Sequence, residues 1–456
     1  DEPTFMRGHP LTSPLTSPLT SQSSATRPPA LSSPASRTGR EMISMSTAQN
    51  ETKVPDASAP NPTAPGSHRI AAIDWMRGFV MVLMAIDHAS QMWNAGRVSA
   101  DSAYLPSLDL STAFWIPDTP LDEAQFYTRW ITHLCAPTFL FLSGTSLAMS
   151  FEKRRAEGMP EFELDRHLLI RAAVILGCEV FLSVMADMGS LMLQVLYAIG
   201  ASMVAMVVLR RLPTTALLTL GLGWLIGSEF ILSQFFPIPT DFIDGAAVNN
   251  YSVPTLLLFV AGYSDSVIVF YPMTHWLAMM LVGWSFGRFL LDQPANDFGR
   301  QQTEKLLLLS GTSSLLLWSF VRSRNAYGNM GLYRDDASAV QWLHMSKYPP
   351  SLTYSLMELG IMALLLLIFM RRERLMKRAP SSWNPLLVFG QTALFFYMLH
   401  FIVLGTGAMA ITGGMMLRGL PETFAAAAVT LVLLYPACIG FRSLKRRYPK
   451  SFLQYI

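Results

Sequence analysis

Apolar residues along the chain gather in blocks close to the length of a bilayer crossing, about 20 residues. Reading those blocks as helices predicts spans near 70–89, 127–150, 168–187, 190–209, 214–235, 273–291, 306–321, 352–370, 384–404 and 422–440. Ten helices fit, and a weaker apolar stretch around 254–262 stays open as a re-entrant piece. The fold class expected is therefore all-α, a polytopic membrane helix bundle of about ten transmembrane helices. The first block, RIAAIDWMRGFVMVLMAIDH at 69–88, departs from the rest because it carries charge at both ends. At about 100° per residue, Asp74, Arg77 and His88 fall within about 60° of one another, while Met76, Phe79, Val80, Leu83 and Ile86 form an apolar face opposite. A charge inside a span costs on the order of 2.5–3.5 kcal/mol, so this stripe should face the protein interior or a wet cavity. A histidine ending such a stripe is a candidate catalyst.

Polar segments complete the domain reading. Residues 1–68 are rich in Ser, Thr, Pro and Ala, with LTSP repeated from residue 11, and read as a disordered cytoplasmic tail. Residues 69–445 form the transmembrane domain, and 446–456 a short basic cytoplasmic C-terminus. Composition agrees: 51% of residues are hydrophobic and only 14% charged, against about 25% charged in soluble domains. The net charge of +3 matters less than its placement. Even-numbered connections carry EKRR (152–155), Arg166 with Arg171, Arg210–Arg211, Arg288 with Arg300 and Lys305, and RRERLMKR (371–378). Odd-numbered connections carry Asp101, Asp109, Asp118, Asp122 and Glu123, then Asp241 and Asp244. The positive-inside rule then places both termini in the cytoplasm. Topology accounts for the basic loops, so nucleic acid is not expected as a partner. Cys135, Cys178 and Cys438 lie in apolar blocks without ligand spacing, which argues against a disulfide framework and against a metal site.

On this topology His88, His133, His275, His344 and His400 all map to the outer half or outer loops, where imidazole offers a base or an acyl acceptor. Arg129 and His133, four apart, would share a helix face able to bind an anionic or hydroxyl-rich acceptor, with Pro137 kinking that helix. Asn325, Tyr327, Lys347 and Tyr348 would supply donors at a substrate mouth, and Pro349–Pro350 marks a helix start. Tyr397 and His400 lie on one face. Structural turns and interfacial snorkelling are the bland alternatives for each of these.

Four stretches carry a family resemblance: IDWMRGFVMVLMAIDH (73–88), TRWITHLCAPTFLFLSG (128–144), KYPPSL (347–352) and FGQTALFFYMLH (389–400). Residues 69–441 resemble a bacterial member of the heparan-α-glucosaminide N-acetyltransferase-like family. The spacing of Arg77 and His88 is similar to the R-x10-H of multi-pass acyltransferases acting on sugars. The family's active histidine precedes a Trp-Asn-Gly; here His88 precedes Trp93-Asn94-Ala95-Gly96 at a different spacing. The resemblance implies a multi-pass protein of the bacterial inner (cytoplasmic) membrane, surrounded by membrane lipid. It implies transfer of an acyl group, acetyl above all, from cytosolic acyl-CoA to a sugar amine or hydroxyl of a glycan or amino-sugar acceptor. Arg154, Arg155, Arg166 and Arg171 would hold the CoA phosphates. Arg77, paired with Asp74, would meet the pantetheine arm about 16 Å along the helix from His88. His88 would act as general base or transient acyl carrier. A transporter or flippase for a sugar or lipid is the competing class, and CoA dependence separates the two.

Overall fold

The computed structural model describes residues 70–97, 122–186, 190–236, 251–264 and 266–456. The 1–68 tail and the acidic positions Asp101, Asp109, Asp118, Asp241 and Asp244 lie outside the described residues. In chain order the helices are α1 (Ala71–Trp93), α2 (Glu123–Trp130), α3 (Cys135–Ala156), α4 (Glu161–Met185), α5 (Val195–Leu209), α6 (Thr214–Phe235), α7 (Val253–Leu258), α8 (Met273–Asp292), α9 (Asp297–Arg324), α10 (Ala339–Leu343), α11 (Leu352–Leu375), α12 (Pro385–Gln391), α13 (Ala393–Thr412) and α14 (Leu420–Arg447). Among the described residues, seven helical segments are long and apolar enough to cross a membrane: Glu123–Ala156 and the helices α4, α6, α9, α11, α13 and α14. The charged α1, the shorter α5 and α8 occupy the other three predicted spans.

The bundle turns the soluble pattern inside out. Val184 on α4, Phe230 on α6, Leu316 on α9 and Val432 on α14 face outward, while Asp74, Asp87, His88, Arg129, Glu179, Glu358 and His400 are buried. Without water in a hydrocarbon core, every interior polar group needs a protein partner. Helix starts illustrate this. Asp122, Asn296, Ser351 and Asn384 cap α2, α9, α11 and α12 with their own side chains. Two interior helices borrow a carboxylate from elsewhere: Glu373 of α11 accepts the Ala71 and Ala72 amides of α1 at 2.9 and 2.8 Å, and Glu179 of α4 accepts the Gln194 amide before α5. Each carboxylate also meets the positive end of the helix dipole.

Two predicted spans are interrupted. The 127–150 block bends between Trp130 and Cys135, and Pro137 falls in the first turn of α3, where a missing N–H is tolerated. The bend therefore precedes the proline, and Arg129 and His133 do not share one continuous helix face. Proline also deprives the His133 carbonyl of its helical donor; the Tyr354 hydroxyl supplies one at 2.9 Å. The 384–404 block breaks at Thr392 into α12 and α13. The weak 254–262 stretch is α7 followed by a strand. There β1 (Leu191–Leu193), β2 (Gly262–Tyr263) and β3 (Val267–Val269) form a small sheet in the order β1-β3-β2, parallel then antiparallel.

Close backbone contacts hold α1 in the centre. A Cβ on Gly78 would stand 1.9 Å from the Leu386 carbonyl oxygen, and one on Gly390 the same 1.9 Å from that of Asp74. Gly144 and Gly283 do the same for α3 and α8, each 2.0 Å from a carbonyl oxygen of the other helix, and Thr145 Oγ1 donates to Gly283 at 2.9 Å. Ion pairs gather the basic connections at the end where α1 starts: Arg155–Glu161, Arg210–Asp165, Arg288–Glu152 and Arg374–Glu304.

Candidate active site

Polar groups form a column beside α1. Near its start, Arg77 Nη1 donates to Asp74 Oδ1 at 3.0 Å, the i,i+3 pair expected from spacing, and to the Gly390 carbonyl at 3.4 Å. Its Nη2 donates to Ser146 Oγ at 2.7 Å. The Gly390 carbonyl is free to accept because α12 ends there, so the helix break supplies a ligand for the guanidinium. Next to Arg77 lies a cavity of about 100 Å³. Arg77, Ser143, Arg171 and Tyr397 line it together with apolar side chains of α1, α3, α4, α5 and α13. Arg171 Nε is buried and has no hydrogen-bond partner among the described residues. A cation in an apolar pocket, with its Nε unpartnered, favours an anionic ligand.

Farther along α1, His88 meets His400 of α13. Their Nδ1 and Nε2 atoms stand 2.5 Å apart, and His400 Nδ1 lies 3.1 Å from its own helix's Phe396 carbonyl. A carbonyl only accepts, so His400 Nδ1 carries hydrogen and the Nε2 of the neutral ring accepts from His88 Nδ1–H. This leaves His88 Nε2 with its lone pair, and it makes no hydrogen bond among the described residues. The ring is held by Phe401 (centroids 4.1 Å) and by the edge of Tyr397 (5.8 Å, 86°). A base with its proton-bearing nitrogen tied back and the other bare is poised to take a proton or an acyl group. Replacing His400 by Phe should lower turnover about 10–100-fold, as loss of an orienting partner does. His400→Gln, which keeps an acceptor, should recover part of that loss in the same steady-state assay.

Asp87 projects to the other side of α1, about 100° from His88. Its Oδ1 accepts from Arg129 Nη1 (2.7 Å), Arg97 Nη2 (2.9 Å) and Thr132 Oγ1 (3.1 Å), while Arg97 Nη1 donates to the Asp87 carbonyl at 2.7 Å. Arg129 Nη2 continues to the Tyr348 hydroxyl at 3.3 Å. Asp87 thus fastens α1 to the α2–α3 bend and to the segment before α11. The signal in sequence was a carboxylate at membrane depth beside a histidine, which calls for a partner.

The remaining candidates divide. Lys347 is buried, its ammonium 5.2 Å from the Tyr348 ring centroid. His133 is buried against Tyr354, with ring centroids 5.7 Å apart. Asn325 ends α9 at φ 50°, and its amide group bonds the Arg334 carbonyl and N–H at 2.8 and 2.7 Å. Tyr327 donates to the Ile226 carbonyl. The side chains of Asn325 and Tyr327 thus hold the loop after α9. Of the four arginines proposed for CoA, Arg171 alone among the described residues lines the cavity; Arg154 bonds Ser150, Arg155 pairs with Glu161, and Arg166 is exposed.

Comparison with known proteins adds one match. Residues 107–322 match the family described as heparan-alpha-glucosaminide N-acetyltransferase, catalytic. The matched region runs from before α2 through most of α9; His88 and His400 lie on either side of it. No curated protein matches the chain.

Proposed function

We propose that this chain, a member of the heparan-α-glucosaminide N-acetyltransferase-like family by its match over residues 107–322, moves an acyl group from acyl-CoA to a sugar amine or hydroxyl across the membrane. The observation that carries this reading is the column beside α1: a cavity edged by Arg77 and Arg171 and walled by Tyr397, whose ring in turn packs edge-on against His88. The donor enters from the cytoplasmic side, where α1 starts. Arg171 and Arg77 attract its phosphates, with Arg154, Arg155 and Arg166 at the entrance. Acetyl is the group favoured by the family, and the pantetheine arm spans the roughly 16 Å between Arg77 and His88.

The acceptor nitrogen or oxygen attacks the thioester carbonyl carbon while His88 Nε2 takes its proton. The carbon–sulfur bond breaks as the tetrahedral intermediate collapses, and the thiolate leaves with the proton from His88 as free CoA. Asp74 holds Arg77, His400 orients His88, and Lys347, Tyr348, Arg129 and His133 shape the acceptor side. The protein then works as a multi-pass enzyme of the bacterial inner membrane, without a metal and without nucleic acid.

Purified protein in liposomes, given labelled acetyl-CoA and a panel of amino sugars and envelope glycans, should label an acceptor and release one CoA per acyl group. Sugar movement across the bilayer without CoA consumption would instead establish the transporter reading.

A further inference from the structure

Tyr397 belongs both to the cavity and to the histidine pair. It is buried, lines the cavity edged by Arg77 and Arg171, and packs edge-on against both imidazoles, with ring centroids 5.8 Å from that of His88 and 5.3 Å from that of His400. Its hydroxyl makes no hydrogen bond among the described residues, unlike Tyr271, Tyr348 and Tyr354 at the same end of the bundle. It stands on the wall of an open cavity with no protein partner among those residues, so a ligand atom in that cavity can complete it. Arg77 is a poorer source of such a bond, since its guanidinium is already held by Asp74, Ser146 and the Gly390 carbonyl. An acyl thioester threaded through the cavity toward His88 passes Tyr397 and carries one acceptor atom there, its carbonyl oxygen.

We infer that Tyr397 is a catalytic residue whose hydroxyl donates a hydrogen bond to the thioester carbonyl oxygen and stabilises the oxyanion formed when the acceptor attacks. The inference rests on the acyl-transfer reading above. As the acceptor's nucleophile bonds to the carbonyl carbon, the carbonyl π pair moves to oxygen, where the Tyr397 O–H meets it. The pair returns when the carbon–sulfur bond breaks, so Tyr397 keeps its proton throughout and His88 carries the transferred one. The arrangement separates two jobs, charge stabilisation from the donor side and proton removal from the acceptor side.

Steady-state kinetics of Tyr397→Phe with acetyl-CoA test this, alongside binding of a ketone analogue of acetyl-CoA in which a methylene replaces sulfur. Loss of one oxyanion donor should lower kcat about 10²–10³-fold, with KM for acetyl-CoA and analogue binding changed by less than about threefold, because phenylalanine preserves the ring contacts. A kcat within about threefold of wild type overturns the role. Loss of analogue binding overturns it as well, since the residue then acts in shaping the cavity. If wild-type protein consumes no acetyl-CoA under any acceptor, it is the acyl-transfer reading that fails, an outcome distinct from both.

Discussion

Substituting glutamine for His88 should lower the turnover of the proposed acetyl transfer by about 10²–10⁴-fold, the range spanned by loss of a positioned general base. Glutamine retains an N–H that can reach His400 Nε2, so the contact between α1 and α13 persists while the proton acceptor is lost. The measurement is CoA release and label transfer by reconstituted variant and wild type at equal protein, with the thermal unfolding midpoint of each in detergent as control. Equal turnover with an equal midpoint would remove His88 from the chemistry. The effect should exceed that of His400→Phe, because His400 acts through His88 rather than on the substrate.

The largest effect on folding should come from Asp87→Ala. That carboxylate is the shared acceptor of Arg97, Arg129 and Thr132, all close to α1, and its side chain is almost enclosed. Removing one member of a buried charged network strands the others, a loss of about 3–5 kcal/mol. Asp87→Asn should lose less, since its amide oxygen still accepts one of the arginines. Unfolding midpoints of the two variants in the same detergent provide the check, and an alanine variant as stable as wild type would show that the network does not hold α1. Because the Asp87 side chain points away from His88, turnover per folded molecule should fall less in Asp87→Asn than in His88→Gln.

The all-α class and the Asp74–Arg77 pair were readable in the chain because both are local: the first follows apolar run length, the second an i,i+3 spacing. The breaks in the 127–150 and 384–404 blocks were hidden, since hydropathy averages across a bend that leaves composition unchanged. Three-residue strands such as β1 carry no usable alternation, so the small sheet left no trace. The His88–His400 contact joins positions 312 residues apart. Its two partners stood out singly, as histidines on polar faces, but nothing in either neighbourhood names the other. Asp87 stands out in the chain as a carboxylate at membrane depth, but two of its partners, Arg129 and Thr132, lie 42 and 45 residues away, so their contact leaves no local mark.

The paired notches at Gly78 and Gly390 act as a bolt. Each glycine receives a carbonyl of the other segment, Leu386 on one side and Asp74 on the other. Neither segment can slide or roll past its neighbour without driving an oxygen across a backbone carbon. Arg77, the break at Thr392 and the start of the cavity consequently travel as one rigid block, tied through α13 to the imidazole pair. On the acyl-transfer proposal, His88 is then a stationary station to which substrates must come, a demand opposite to that of a carrier, whose binding groups must change the side they face.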